Sequence, residues 1–474
     1  MNTYLADIIT NAPLIALTVT GLILIVIESS KISRERISYS VGLVGLGVSG
    51  ILAFFHLTPE QPTFNGMLRA GGYGSYFDII FVLAAILTFL LSRSYFERMG
   101  SHKGEYYILI VFATVGMMLM ASANDLIIVF LGIELMSICL YILVGFFRKK
   151  DRSNESAIKY FLLGAFATGF LLYGIALIYG TAGSTNFDVI AKAIPTLAGN
   201  TIFLIGTALM IIAFSFKVAA VPFHMWAPDV YEGAPTTVTA FMSTGAKAAA
   251  FAVFVSVFVR TIGSHGGKIN DVIAIIAAAS MILGNITAIV QTNIKRMLAY
   301  SSIAHAGYML SGVAAANPEG QAGVLFYLVA YLFMNLGAFG VITIMEKEDD
   351  RNLNLEDYTG LSSQRPLLAM LMAVFMFSLA GVPPFGGFFG KYYVFLAAVK
   401  ADMTWLAIVG VVTSLVSAYY YLRIIVLMYF REGQADVAVK PSLAAMIAVG
   451  IAAVLILQLG IYPSTVVQLV QSFH

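Results

Sequence analysis

Charge is scarce in this sequence. Lysine, arginine, aspartate and glutamate make up 11% of the 474 residues and hydrophobic residues 59%, where soluble domains carry roughly 25% charged residues. A chain so poor in charge cannot clothe a water-exposed surface, which points to an integral membrane protein. The net charge of +2 leaves no concentrated basic face, so nucleic acid is not expected as a partner. Cysteine is nearly absent: Cys139 stands alone in an apolar segment, and no intramolecular disulfide can form. Neither CxxC nor HExxH occurs, which leaves no ligand set for an iron–sulfur cluster or zinc. No cofactor or metal is therefore expected on this chain. The N-terminus, MNTYLAD, lacks a basic leader, and its apolar run (about Ala12 to Ile27) is followed by Lys31, Arg34 and Arg36. That is the pattern of a retained first span, not of a cleaved signal peptide.

What is abundant is long apolar sequence. Runs able to cross roughly 30 Å of hydrocarbon number fourteen, at about 11–29, 38–57, 76–93, 105–122, 125–146, 156–180, 201–223, 236–260, 271–290, 296–314, 320–345, 366–399, 404–429 and 442–466. The expected fold is thus an all-α membrane protein of about fourteen transmembrane helices. Short cytoplasmic loops hold the excess of lysine and arginine. With the N-terminus outside, seventeen of the 27 basic residues fall in inner loops, five in outer loops, and Lys159, Lys217, Lys247, Lys391 and Arg423 inside spans. Both termini are then expected on the outer side. The inner loop HMWAPDVYEGAP, with no lysine or arginine, is a local exception.

Proline exposes an internal repeat. The seventh span reads FSFKVAAVPF and the twelfth FSLAGVPPFGGFFGKYY, so Val-Pro-Phe at 221–223 answers Pro-Pro-Phe at 383–385. Each is the fourth span of a five-span group, and an odd number of spans turns the second copy upside down in the membrane, as in many ion transporters. Chance recurrence of proline motifs is the alternative. The expected organisation is one transmembrane domain with three N-terminal helices (1–104), two inverted five-helix repeats (105–262 and 270–430), each with a discontinuous helix, and a C-terminal helix (431–474).

Charges at membrane depth nominate the functional residues, because a cation there costs about 3 kcal/mol on insertion scales. Lys217 lies five residues before Pro222, whose missing backbone donor breaks the helix. Glu134, nine residues after Asp125 and fourteen before Arg148, sits near mid-membrane. Lys247 is eleven residues beyond Thr236, roughly 16 Å deep. A buried lysine near a movable carboxylate can switch between holding and releasing a proton, which is the chemistry of a relay. The bland readings are a structural ion pair for Glu134 and snorkelling for the lysines. Lys391 follows the Pro383–Pro384 break, nine residues before Lys400; it could snorkel, but Gly386, Gly387 and Gly390 argue for a hydrated, irregular site. Lys159, seven residues from Arg152, and His305, in SSIAHAGYM, are weaker candidates; His305 and His224 could carry protons or bond a carbonyl. Arg423 reads as an interfacial anchor. GLGVSG at Gly45, Gly47 and Gly50 fits the dinucleotide pattern, but it lies inside a span and follows no strand, so it reads as close helix packing.

With these residues in place, LGIELMSICLYIL, FSFKVAAVPFHMWAPDVYEGAP, the GAK segment at Lys247 and GVPPFGGFFGK closely resemble the antiporter-like subunits of respiratory complex I. The similarity covers nearly the whole chain and is strongest to the subunit N family of bacterial NADH-quinone oxidoreductase. It implies a proton-translocating subunit of a bacterial inner membrane, with other membrane subunits and the lipid bilayer as partners, and with quinone and NADH bound elsewhere in the assembly. It also implies a charge pair between Glu134 and Lys217, a connecting role for Lys247, the end of the chain of residues at Lys391, and a sixth-span lysine at Lys159. In that family subunit M is expected to carry glutamate where this chain has Lys391, and subunit L to extend into a long lateral helix. Multi-subunit sodium/proton antiporters share much of the pattern and supply the alternative function. A subunit whose charges only hold helices together is a third reading.

Overall fold

The computed structural model describes residues 2–30, 35–100, 104–263, 267–347, 351–433, 435 and 441–473. Lys31, Arg34, Lys103, Lys440 and His474, used in the topology argument, lie outside them.

A short helix α1 (Asn2–Thr10) leads into α2 (Ala12–Ser29), α3 (Glu35–Phe55) and α4 (Gly72–Arg98). Between α3 and α4 stands an antiparallel hairpin of β1 (Gln61–Thr63) and β2 (Leu68–Ala70), so the all-α expectation is amended by one small ribbon. Its turn runs through Phe64, Asn65 and Gly66 at φ of 49°, 57° and 79°, a left-handed stretch that Asn-Gly suits. The first five-span unit holds α5 (Glu105–Ser122), α6 (Leu126–Val144), α7 (Asp151–Ala182), the short α8 (Phe187–Leu197) and the broken pair α9 (Thr201–Val218) and α10 (Trp226–Gly233). Its last span is assembled from α11 (Thr236–Phe241), a π-helical turn (Met242–Ala246), α12 (Lys247–Phe254) and a second π-helical segment (Val255–Thr261). The second unit holds α13 (Lys268–Ile289), α14 (Ile294–Ala314), α15 (Pro318–Met345), the short α16 (Leu361–Gln364), the broken pair α17 (Pro366–Ala380) and α18 (Gly386–Lys400), and α19 (Thr404–Phe430). Helices α20 (Leu443–Ile461) and α21 (Ser464–Gln471) close the chain.

Twelve helices among the described residues are long and apolar enough to cross a membrane. The other two expected spans are α14, which carries Lys295, Arg296, Ser301, Ser302 and His305, and the α17–α18 pair, whose halves have 15 residues each.

Backbone geometry repeats where the sequence does. Helix α9 ends at Ala219 with φ 59°, and the Val221–Pro222 bond is cis; α17 ends at Gly381 with φ 86°, and the Pro383–Pro384 bond is cis. Helix pairing repeats as well. Helices α5 and α6 approach so closely that a β-carbon on Gly116 would meet the Gly132 carbonyl and the Met136 backbone. At the α13–α14 crossing, Gly284 meets the Tyr300 carbonyl and the Ala304 backbone in the same way, every position shifted by 168. Small residues permit such approaches where lipid supplies no hydrophobic drive. Gly45 against Thr20 and Gly50 against Val82 are further close contacts, so two of the GLGVSG glycines pack helices while Gly47 faces open space.

The molecule's interior is built around α15 and the α11–α12 span, which are buried nearly all round, whereas α2, α3 and α7 keep broad exposed faces. A helix buried on every side can still carry polar groups if neighbouring helices satisfy them. Thr239, Ser243 and Lys247, all buried on the α11–α12 span, are such groups.

Candidate functional site

Lys217 occupies the last turn of α9, where the negative end of the helix dipole favours a cation. Its amine donates to Ser137 Oγ at 2.7 Å and lies 6.0 Å from the Tyr141 ring centroid. Glu134 stands one turn before Ser137 on α6, and its Oε1 accepts from Thr168 of α7 at 2.8 Å. Among the described residues no direct hydrogen bond joins Glu134 to Lys217; the lysine amine is held by Ser137, one turn along α6 from the carboxylate.

Lys247 follows the π-helical turn, and its amine donates to the Ser302 carbonyl at 2.7 Å and to Ser302 Oγ at 2.5 Å. The 168-residue correspondence makes Ser302 the counterpart of Glu134 and His305 the counterpart of Ser137. The second unit thus offers a hydroxyl where the first offers a carboxylate. Ser301, beside Ser302, hydrogen-bonds the Tyr421 hydroxyl, which lies 3.1 Å from His305 Nε2. His305 Nδ1 is 2.8 Å from the Tyr327 hydroxyl. Among the described residues both His305 ring nitrogens therefore bond tyrosine hydroxyls and no carbonyl.

Lys391, on α18, donates to the carbonyls of Leu379 (3.1 Å) and Ala380 (3.0 Å) and to Ser414 Oγ of α19 (2.8 Å). Those carbonyls are the ones a helix C-terminus leaves free, so the break in the chain creates the lysine's binding site. The amine also sits 5.0 Å from the Tyr308 ring centroid. A cavity of about 590 Å³ between α18 and α19 has Lys391 and Ser414 among otherwise largely apolar walls. The three glycines lie against neighbouring chain. Gly386 lies against Ile456, Gly387 against the Ser378 carbonyl and Gly390 against Tyr327, so each permits close packing.

Lys159 lies apart from these residues, about 13 Å along α7 from Thr168 at 1.5 Å per residue. Its amine pairs with Glu155 at 2.7 Å and Asp229 at 2.8 Å; Arg296 bonds Asp229 at 2.7 Å and Glu232 at 3.0 Å. This network ties α7 to α10 and α14. Partial burial pushes the Asp229 carboxyl up, but hydrogen bonds and charge from Lys159 and Arg296 hold it below its usual range. His224 Nδ1 is buried without a hydrogen-bond partner among the described residues. Arg423 meets Glu356 at 3.8 Å, in keeping with an interfacial anchor.

Sequence reasoning missed Ser137, Thr168, Ser302, Tyr327, Tyr421 and Ser414. A signal existed for the first: Ser137 is three residues after Glu134 and so shares its helix face. The others come from distant helices, and only packing brings them in.

Residues 123–417 match the family described as NADH:quinone oxidoreductase/Mrp antiporter, transmembrane. NADH-quinone oxidoreductase subunit N 1 of Chloroherpeton thalassium is 47% identical over 473 residues, covering 98% of both chains. NADH-quinone oxidoreductase subunit N of Trichlorobacter lovleyi is 48% identical and covers 97% of this chain and 95% of its own. This chain belongs to the subunit N family. A chain of respiratory complex I from Thermus thermophilus with bound aureothin superposes with a TM-score of 0.84 at 33% identity, covering 96% of this chain and 98% of that one. A chain of the Mrp complex from Dietzia has a TM-score of 0.85 at 22% identity, covering 99% of this chain and 97% of that one. At that identity the second likeness shows the shared fold alone. Subunit N membership thus rests on near-full-length identity.

Proposed function

We propose that this chain moves protons across a bacterial inner membrane as a subunit of NADH-quinone oxidoreductase. Redox chemistry on other subunits drives it, and its neighbours are the other membrane subunits of that assembly. Glu134, Lys217, Lys247, His305 and Lys391 carry the proton, with Lys159 at the inner edge; quinone and NADH bind elsewhere, and both termini face outward. One observation carries the reading. Lys217, Lys247 and Lys391 are 9%, 2% and 5% exposed, yet their hydrogen bonds go to hydroxyls and carbonyls, not to carboxylates. A structural buried cation is normally locked by a direct ion pair; an amine hydrogen-bonded to neutral acceptors can give up its proton without breaking a salt bridge.

Glu134→Ala and Lys217→Ala should each impair NADH-driven pumping in inside-out vesicles more than they impair assembly, with Glu134→Asp retaining more. Normal pumping by the fully assembled Glu134→Ala complex would sink the assignment. Near-full-length identity to subunit N of 47–48% favours this reading over a sodium/proton antiporter subunit. Co-purification with quinone reductase subunits, as against small antiporter subunits alone, separates the two.

A further inference from the structure

Glu346 stands just past the inner end of α15, only 2% exposed. Its Oε1 accepts from the Tyr95 hydroxyl of α4 at 3.2 Å, and that hydroxyl accepts from the backbone amide of Thr236, the first residue of α11, at 3.3 Å. Glu346 Oε2 has no hydrogen-bond partner among the described residues. The groups around it are the charge of Arg98, which is half-buried and donates to the Thr343 carbonyl at 2.5 Å, and the hydroxyl of Tyr358. Glu346 thus lies beneath a cation that reaches toward the surface, at the foot of two packed helices.

Those helices face each other with polar stripes. Along the α11–α12 span run Thr236, Thr239, Ser243 and Lys247; along α15 run Glu346, Thr343, Asn335 and Tyr331. Steps of three and four residues place the first set on one face; the second steps by three, eight and four, with Phe339 standing between Thr343 and Asn335. Asn335 Nδ2 donates to Ser243 Oγ at 2.8 Å and joins the stripes midway. At the far end the Tyr331 ring is 5.2 Å from that of His305. Six buried side-chain polar atoms with no hydrogen-bond partner among the described residues cluster here: Arg98 Nε, Thr236 Oγ1, Tyr331 OH, Asn335 Oδ1, Glu346 Oε2 and Tyr358 OH. Buried polar atoms are nearly always paired with protein or with ordered water. Six such atoms along one seam are places where ordered water would complete the hydrogen bonding.

We propose that Glu346 is the inner mouth of a hydrated seam between α11 and α15 that supplies protons to Lys247. This rests on the proton-path reading above and names its intake. The Glu346 carboxyl breaks its O–H bond to a seam water, the proton passes along the hydroxyls and waters, and a new N–H bond forms on the Lys247 amine. The Glu346 carboxylate then takes a proton from the inner aqueous phase beside Arg98, so charge and atoms balance.

The test is NADH-driven proton uptake by assembled complex in inside-out vesicles, with Glu346→Gln, Glu346→Asp and Lys247→Ala in parallel. Glutamine is isosteric and still accepts the Tyr95 hydrogen bond, so a purely structural Glu346 tolerates it. An intake residue does not: uptake should fall by about tenfold or more with Glu346→Gln and recover largely with Glu346→Asp. Normal uptake by Glu346→Gln while Lys247→Ala abolishes it overturns the seam and leaves the proton path standing. Normal uptake by Lys247→Ala overturns the path itself, and the seam with it. If Glu346→Gln fails to assemble, Thr236→Cys in a Cys139→Ala background decides. Methanethiosulfonate ethylammonium should add to that thiol, read by mass spectrometry of this subunit, when applied to the inner face and not the outer. No addition from the inner face means a dry seam and overturns the proposal.

Discussion

Lys391 is where a relay and a structural cation part most sharply. Its amine satisfies two carbonyls at the end of α17 and one serine hydroxyl of α19. Lys391→Met removes all three bonds; orphaned carbonyls at about 1–3 kcal/mol each make roughly 2–6 kcal/mol an upper bound. The adjoining groove of about 590 Å³ gives the neighbouring groups room to relax and reduces that penalty, so a weakened but assembled complex is the expected outcome. Lys391→Arg keeps the charge and the donors, and the same groove gives the longer side chain room. What changes is proton affinity. Arginine ordinarily binds its proton at least about 2 pK units more tightly than lysine, which slows release on that step by about a hundredfold. A relay site must fail with both substitutions; a structural cation tolerates arginine and fails only with methionine. The assay is NADH-driven acidification of inside-out vesicles, with immunoblots for assembly and quinone reductase activity measured alongside. Full pumping by an assembled Lys391→Arg complex would refute the reasoning and return Lys391 to the anchoring residues.

Two further outcomes are expected. Asp229→Asn should lower the thermal stability of the purified complex by about 1 kcal/mol, a small effect because the Lys159–Asp229–Arg296 network is only partly buried. Since the Asp229 carboxyl is held below its ordinary range, its contribution is complete above the unfolded value of about 3.9 and is lost only as pH falls through the lowered folded value. The stability difference between wild type and Asp229→Asn should therefore be flat from about pH 8 to about pH 5, and a difference that collapses within that window would refute the assignment. Topology mapping should place the Arg148–Arg152 loop in the cytoplasm and both termini outside; a cytoplasmic signal from a reporter fused after His474 would break the fourteen-span count.

The lysines and Glu134 were legible because a charge at membrane depth is rare enough to read as a signal by itself. The two helix breaks were legible because proline removes a backbone donor wherever it falls. Hydroxyl groups carry no such signal. Serine, threonine and tyrosine are ordinary in membrane helices, and whether Ser137 faces Lys217 or lipid depends on which helix packs against α6. Glu346 lies one residue beyond its expected span and drew no notice in the sequence; its burial comes from α4 and α11 closing over it, a contact between residues some 250 positions apart. The hairpin was missed because strands of three residues are too short to show alternation, although Asn65-Gly66 is a turn signal.

Lys247 belongs by sequence to the first five-span unit, but its amine is seated on Ser302 of the second. Two copies of a transport module could have worked as independent lanes, each sufficient when the other fails. If protons travel by way of Lys247, a lysine contributed by one copy and held by the other would wire them in series. On that reading a single blockage anywhere along the line would stop all of the traffic, a second would add nothing, and neither half expressed without the other would contain a complete crossing.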